Sequence, residues 1–168
     1  MLEKGTMAIL ELHSAPGHLI RRLQQIAVAL FMAETRTFDL TPLQYAALLG
    51  IRENPGCDQT TLANYVALDR STIADVVERL ESKALIRRKP GARDRRTKRL
   101  DLTPAGRKLV SAASSAVGAV QEMILAPLKP AERVMFMDLL RRLVHLNNEH
   151  SRAPLRLNGE ETRPRRTA

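Results

Sequence analysis

A short, strongly basic segment near the middle of the chain follows two predicted helices. Residues 87–99 carry eight cationic side chains and one anionic one, with apolar residues on both sides and a Pro90-Gly91 bend inside. This pattern is typical of a β-hairpin with a charged tip. Residues 58–67 and 69–83, just before it, have the apolar spacing of two short amphipathic helices. The order helix, helix, charged hairpin predicts a winged helix-turn-helix that binds DNA.

The charge of the whole chain favours the same kind of partner. Lys and Arg number 27 against 18 Asp and Glu, and the isoelectric point is about 10.6. Such a balance favours a polyanionic partner, and an aromatic content of 3% without tryptophan argues against stacking platforms for single strands. Double-stranded DNA is therefore the expected partner. No apolar run approaches the roughly 18 residues of a membrane span and the start lacks a signal-peptide pattern, so a cytoplasmic protein without a membrane partner is expected.

The apolar spacing along the chain predicts a mainly α fold with about six helices and a two- or three-stranded wing. A long helix runs from Pro16 to about Thr35, and Thr41 opens a second helix through a capping box. Thr103-Pro104 opens a fifth helix, and residues 131–150 form the sixth.

Four regions follow from this order. Residues 1–38 are an N-terminal dimerisation helix and arm, 39–103 the winged helix-turn-helix lobe, 104–150 the C-terminal dimerisation helices, and 151–168 an Arg- and Pro-rich tail expected to be flexible. The first, fifth and sixth helices are apolar over more than one stripe, which is more than a lobe of about 65 residues covers. A two-fold homodimer is therefore predicted, with recognition helices that read two half-sites about one DNA turn apart.

The fourth predicted helix carries the candidate base-reading residues. Arg70, Ser71, Thr72 and Asp75 lie in its first two turns, outside the apolar stripe. Arginine can bond guanine through two hydrogen bonds, and serine or threonine suits several bases or a phosphate. The alternative is a solvated polar face on which Ser71 and Thr72 serve only the start of the helix.

The tip of the hairpin carries the candidate backbone-contacting residues. Arg93, Arg95, Arg96 and Lys98 are predicted to enter a minor groove or bind phosphates. Asp94 is predicted to organise the tip by pairing with a neighbouring arginine instead of facing DNA. The alternative is a solvated charge run, as isolated basic clusters often are.

Several short motifs occur in a fixed order along the chain. They are Leu40-Thr41-Pro42-Leu43-Gln44-Tyr45, Leu62-Ala63, Arg70-Ser71-Thr72-Ile73, Val77-Glu78-Arg79-Leu80-Glu81, Leu85-Ile86-Arg87-Arg88, Asp94-Arg95-Arg96 and Leu102-Thr103-Pro104-Ala105-Gly106. With these motifs the chain resembles MarR-family transcriptional regulators from about residue 12 to residue 150. That resemblance implies a homodimer, usually a repressor, that binds a pseudo-palindromic operator and responds to a small phenolic or other aromatic effector.

Two residues depart from the family pattern. Ala84 stands where glycine is usual after the recognition helix, and a left-handed alanine there would cost about 1 kcal/mol. Lys129 stands where a serine or threonine cap is usual.

An effector of this kind needs polar contacts, and three residues are candidates for effector binding. His18 and Arg22 share a face of the first helix, and Tyr45 carries a hydroxyl that suits an aromatic acid. The alternatives are a surface histidine, an ion pair for Arg22 and a core position for Tyr45. Residues 17–25 also resemble regulators of aromatic-acid catabolism that sense free acids or their coenzyme A thioesters. A thioester would need cations such as Arg21 and Arg22 for its phosphates.

Other classes of function have less support in the sequence. Cys57 is the single cysteine, which excludes an intrachain disulfide; a thiol-based redox sensor remains an alternative function, although no cation cluster near Cys57 would lower its pKa. Gly-rich phosphate loops and nucleophile-elbow sequences are absent, so neither an enzyme nor a cofactor is expected. His145, Glu149 and His150 make a poor metal site and are interpreted as a polar helix end, with no metal expected. An architectural DNA-binding protein without an effector is a further alternative.

Overall fold

The computed structural model describes residues 9–91 and 97–157. This part is mainly helical, with a small antiparallel sheet, and confirms the predicted fold class. A short helix, α1, precedes the predicted first helix, and a two-residue strand precedes the helix-turn-helix. Its elements are α1 (Ile9–Ser14), α2 (Pro16–Glu34), a 3₁₀ turn (Arg36–Phe38), α3 (Pro42–Glu53), β1 (Cys57–Asp58), α4 (Gln59–Tyr65), α5 (Arg70–Ser82), β2 (Ile86–Pro90), β3 (Lys98–Leu102), α6 (Pro104–Leu125), α7 (Pro130–Leu146) and a second 3₁₀ turn (Asn148–His150).

Side-chain caps fix where the helices of the lobe begin. The Gln44 N–H donates to Thr41 Oγ1 and the Thr41 N–H to Gln44 Oε1, both at 3.2 Å, which confirms the predicted capping box. Asp58 accepts from the Thr61 N–H at 2.8 Å at the start of α4, and Asp69 caps α5 in the same way. The two helices of the helix-turn-helix therefore begin where the sequence predicts.

The sheet joins the wing to the helix-turn-helix. Its strand order is β1-β3-β2, all antiparallel, with Ile86 opposite Leu102 and Cys57 opposite Leu100. The sequence does not reveal β1, because two residues are too few to show the alternation of a strand. Through β1, the wing strands are hydrogen-bonded to the segment that leads directly into α4.

Three residues shape the contact between the end of the helix-turn-helix and the start of α6. Ala84 has a left-handed backbone with φ +54°, as the departure from glycine at this position predicts. The Thr103 hydroxyl donates to the Ala84 carbonyl at 2.8 Å and accepts from the Gly106 N–H at 3.0 Å. A Cβ on Gly106 would lie 2.1 Å from the Leu85 carbonyl oxygen, so α6 and the end of the helix-turn-helix approach as closely as only glycine allows.

The core lies mainly within residues 39–103, the predicted winged helix-turn-helix lobe, and extends to α2 and α6. Leu48, Ile51, Leu62, Ile73 and Leu80 are each at most 1% exposed, together with residues from the sheet and α6. Burying these side chains supplies most of the stability of the lobe. Ile73 and Leu80 belong to the apolar stripe of the fourth predicted helix.

The long helices outside the lobe are covered much less. Among the 19 residues of α2 Phe31 alone is buried, and none of the 17 residues of α7 is. Val134 and Leu146 of α7 are 73% and 74% exposed. In the described ranges no single helix has the length and apolar character to cross a membrane; α6 and α7 reach these thresholds only when taken together, across a bend of 100°.

The C-terminal part differs from the prediction at the end of the sixth predicted helix, which stops at Leu146 instead of continuing to residue 150. At the start of this helix the Glu132 carboxylate accepts from the Lys129 N–H at 2.7 Å, where a serine or threonine cap is usual. Residues 151–157, the described part of the predicted tail, contact α4, where the Arg156 N–H donates to the Asn64 carbonyl at 2.9 Å. The flexibility of the tail stays a prediction.

Candidate DNA interface and effector cavity

The buried residues of α5 define which of its side chains face outward. Successive residues of an α-helix are about 100° apart, and Ile73, Val76, Val77 and Leu80 form the core face. The opposite side therefore presents an exposed row that can enter a DNA groove. This outward face consists of Ser71, Asp75, Glu78 and Ser82.

The four predicted base readers divide between this face and its flanks. Ser71 and Asp75 lie on the outward face, whereas Arg70 and Thr72 lie on opposite flanks. Asp69 accepts from the Thr72 N–H at 2.9 Å, from the Ser71 hydroxyl at 2.7 Å and from the Thr72 hydroxyl at 3.1 Å. These hydrogen bonds lower the pKa of Asp69 to about 2. The Ser71 and Thr72 hydroxyls thus both serve the start of the helix, the role that the alternative gives them.

The outward face also contains an acidic residue that the sequence interpretation missed. Glu78 lies one turn after Asp75 and two turns after Ser71, and this spacing was the signal that could have identified it. Neither Asp75 nor Glu78 forms an ion pair with another described residue. Glu81, by contrast, lies 3.0 Å from Arg88. The centre of the outward face therefore presents uncompensated hydrogen-bond acceptors.

The strands of the wing use several of their cations internally. Lys89 lies 3.0 Å from Asp101, and the Arg99 guanidinium donates to the Gly56 carbonyl at 2.7 Å. The Gly91 N–H donates to the Thr97 carbonyl at 2.8 Å and closes the described base of the loop. Lys98 is exposed and has no ion pair with a described residue. Arg93, Asp94, Arg95 and Arg96 lie outside the described residues, so their roles stay predictions.

A cavity of about 430 Å³ lies between the recognition helix α5 and the long helix α2. Thr72, Asp75, Val76 and Arg79 form its α5 wall, and Arg79 is its cationic lining residue. The sequence interpretation missed Arg79, although Arg79 follows Thr72 by two helical turns and so shares its side of α5. The α2 wall and the floor consist of Gln24, Val28, Thr41, Pro42, Leu43 and Gln44.

The three predicted effector-binding residues do not line this cavity. Tyr45 is buried, with its ring 6.1 Å from that of Phe31, in keeping with the alternative of a core position. Arg22 is exposed on α2, and the His18 ring lies 5.4 Å from that of His13. Desolvation, and then the charges of neighbouring basic side chains, lower the pKa of His18. An effector role for these residues stays a prediction.

Cys57 is shielded from solvent in this fold. Its side chain is buried in β1. Burial, and then the Asp58 carboxylate, raise the pKa of the thiol to about 11. The thiol is therefore protonated at neutral pH, which disfavours the redox-sensor alternative because the thiolate is the reactive form.

The polar end of α7 holds an ion pair. Glu149, one of the three residues interpreted as a polar helix end, binds Arg156 through both carboxylate oxygens at 2.6 and 2.7 Å. Within residues 9–91 and 97–157 no group of three or more His, Cys, Asp or Glu side chains has the geometry of a metal site.

Comparison with known sequences identifies relatives that share this architecture. The sequence model of the MarR family matches residues 40–98, which comprise the lobe from the start of α3 to the second wing strand. The "HTH-type transcriptional repressor NicR" of Pseudomonas putida is 31% identical over 128 residues, which are 76% of this chain and 81% of NicR.

Solved structures with the same fold include regulators studied with ligands. The PcaV transcriptional regulator of Streptomyces coelicolor, in complex with its natural ligand, is 37% identical with a TM-score of 0.72, covering 83% of this chain and 98% of PcaV. Bordetella bronchiseptica BpsR, whose DNA binding is regulated by 6-hydroxynicotinic acid, is 33% identical with a TM-score of 0.70, covering 76% of this chain and 96% of BpsR.

Proposed function

Because this chain belongs to the MarR family of transcriptional regulators, which are not enzymes, we propose that it is a homodimeric repressor. A small aromatic acid, or the coenzyme A thioester of such an acid, is proposed to release this repressor from its operator. One observation carries the proposal: the cavity between α2 and α5 has the recognition helix itself as one wall. A ligand in that cavity contacts the element that reads DNA. Effector binding and DNA binding are thereby linked through the position of one helix.

The outward face of α5 supports sequence-specific binding. A carboxylate such as that of Asp75 can accept a hydrogen bond from the amino group of cytosine in the major groove. The Ser71 hydroxyl donates its proton to Asp69, and its oxygen can accept from the amino group of a base. Arg70 on the flank suits guanine or a phosphate. Lys98, with the arginines at the tip of the wing, adds phosphate or minor-groove contacts, which position the protein without specifying sequence.

The exposed apolar surfaces of α2 and α7 support the dimer. Ile20 of α2 is 58% exposed, and Met135 and Val144 of α7 are 66% and 61% exposed. A cytoplasmic protein in water gains free energy by covering such surfaces with a second copy. The two-fold axis of a dimer then relates two recognition helices to the halves of a pseudo-palindromic operator.

The chemistry of the cavity supports an acidic effector. Its volume of about 430 Å³ lies within the usual range for small-molecule sites, and Arg79 can pair with a carboxylate. BpsR, a structural relative, is regulated by an aromatic acid, 6-hydroxynicotinic acid. With a thioester, the acyl group would occupy the cavity while Arg21 and Arg22 of α2 bind phosphates. His18, Arg22 and Tyr45 remain further candidates for effector contact.

Titration of a preformed complex tests the proposal. A duplex selected by this protein from a random-sequence library is labelled with fluorescein, and aromatic acids and their coenzyme A thioesters are added while anisotropy is followed. Wild type is expected to leave the duplex with at least one compound. Arg79→Gln is expected to bind the duplex but to need a much higher concentration of that compound for release.

Two results would contradict the proposal at different points. If no compound of the panel changed the complex, release by an aromatic effector would be excluded, but the protein could still be a sequence-specific DNA-binding regulator. Equal competition by unrelated DNA would instead indicate an architectural DNA-binding protein, since specific and non-specific affinities of a regulator typically differ by factors of about 10³–10⁷. Sedimentation velocity separately tests the dimer, which a monomer at micromolar concentration would exclude.

A further inference from the structure

The chain continues past α7 as a segment that returns to the helix-turn-helix. We call residues 151–157 the C-terminal strap. The Arg156 N–H donates to the Asn64 carbonyl at 2.9 Å, which attaches the strap to the last turn of α4. Asn64 lies five residues before Asp69, the residue that caps the recognition helix. The strap therefore lies beside the turn of the helix-turn-helix.

Hydrogen bonds at the base of the strap fix its path. The Asn148 side chain accepts from the Leu155 N–H at 2.8 Å and donates to the Leu155 carbonyl at 3.2 Å. Arg156 binds both carboxylate oxygens of Glu149. Two side chains of the 3₁₀ turn after α7 thus hold the far end of the strap, and its first residues form a closed loop beside α4. A segment held in this way loses little further conformational entropy when it binds a ligand.

Arg152 projects from this closed loop. It is exposed, and it forms no ion pair with another described residue. Its positive charge also contributes to the lowered pKa of Asp69, after the hydrogen bonds that dominate that shift. The guanidinium is therefore within electrostatic reach of the start of α5. Arg88 and Lys89 of the wing differ in this respect, because carboxylates of the protein hold them.

We propose that Arg152 binds a phosphate of the operator beside the start of the recognition helix, so that the C-terminal strap is a third DNA-contacting element in addition to α5 and the wing. The inference rests on the proposed approach of α5 to DNA. Arginine suits this role because its planar guanidinium bonds two phosphate oxygens at once.

The salt dependence of operator binding measures such a contact. Each phosphate that a protein neutralises contributes about 0.9 to the slope of log affinity against log salt concentration. The binding of the library-selected duplex is measured over a series of KCl concentrations for wild type, Arg152→Gln, Asn148→Ala and the control Arg36→Gln. Arg36 is a matched control because it is also exposed and unpaired with any described residue. It lies in the 3₁₀ turn near Asp39, which binds Lys83 at the opposite end of α5.

The proposal predicts a specific pattern of slopes. Arg152→Gln is expected to reduce the slope by about 0.9 for each chain bound, whereas Arg36→Gln is expected to leave the slope as in wild type. Asn148→Ala, which removes no charge, is expected to reduce the slope as well because it releases the strap. A general effect of net charge would not produce this last result.

Two outcomes would overturn the proposal. One is an Arg152→Gln slope equal to that of Arg36→Gln, and the other is an Asn148→Ala slope equal to that of wild type, with folding of each variant checked by circular dichroism. Failure of the proposed function is recognised separately, because wild type would then not distinguish the selected duplex from a scrambled one.

Discussion

Two glycines of α6 should respond in opposite directions to the same substitution. Gly106 lies in the first turn of the helix, where an added Cβ would be 2.1 Å from the Leu85 carbonyl oxygen. Gly118 lies three turns later. Apart from the backbone of its own helix, no atom of the described residues lies within 4 Å of the position that an added Cβ would take. We expect Gly106→Ala to destabilise the protein strongly and Gly118→Ala to stabilise it slightly.

The contacts of Leu85 set the size of the first effect. A real Cβ stays at least 3.0 Å from other heavy atoms, so the Leu85 carbonyl would have to move by about 1 Å. That carbonyl accepts from the Thr103 N–H at 3.0 Å and from the Thr103 hydroxyl at 3.1 Å. Overpacking costs about 1–3 kcal/mol, and each weakened hydrogen bond adds about 0.5–1.5 kcal/mol. The expected loss of unfolding free energy for Gly106→Ala is therefore about 2–6 kcal/mol.

Gly118→Ala is the internal control. Alanine in the middle of a helix is more favourable than glycine by about 0.5–1 kcal/mol, because the unfolded chain loses less entropy. Urea unfolding followed by circular dichroism, at one protein concentration for all variants, gives both differences. If Gly106→Ala were within about 1 kcal/mol of wild type, the close approach of α6 to Leu85 would not exist in solution and the reasoning would be refuted.

Three further substitutions test the local geometry of the lobe. Ala84→Gly should raise the unfolding free energy by about 1 kcal/mol, seen as a melting temperature higher by about 2–4 °C, because glycine removes the strain of φ +54°; an unchanged or lower value would contradict this strain. Asp69→Asn should lower the melting temperature at pH 7. Because the pKa of Asp69 is lowered to about 2, its extra stability is complete above about pH 4 and is lost as the pH falls towards 2, so the two melting curves should converge over that range. A difference in melting temperature that stayed constant with pH would contradict a stabilising role for the negative charge of Asp69. The Cys57 thiol should react with a disulfide reagent only after unfolding, and peroxide should affect the DNA binding of wild type and Cys57→Ser equally; loss of binding by wild type alone would restore the redox-sensor alternative.

Features of this fold that depend on local interactions could be predicted from the sequence. The capping box at Thr41 and the caps at Asp58 and Asp69 each involve residues three apart in the chain, so their residue types mark the helix starts directly. The left-handed conformation of Ala84 was inferred from a position at which glycine is usual. The order of elements and the core faces follow from the same local periodicity.

Features that depend on the packing of distant segments could not be predicted in this way. The cavity combines α2, the start of α3 and α5, and its cationic lining residue, Arg79, appears in the sequence as one of several charges on an amphipathic helix. The contact between Arg156 and Asn64 joins residues more than 90 positions apart, and the composition of the tail argued for flexibility. Tyr45 was a candidate for effector binding because of its hydroxyl, but the packing of α2 on α3 buries its ring beside Phe31.

The arrangement of α5 supports the proposed coupling of an effector to DNA through one short helix. Its residues divide by angle into a core face, a cavity side that includes Arg79, and an outward face that includes Ser71 and Asp75. Both ends of the helix are fixed, by the Asp69 cap at the start and by the ion pair of Lys83 with Asp39 after its end. A helix held in this way moves as one body, so a ligand that displaces the cavity side must also turn the outward face by the same angle. Since Asp75 belongs to both surfaces, even a small rotation changes the position of a candidate base-reading side chain relative to the groove.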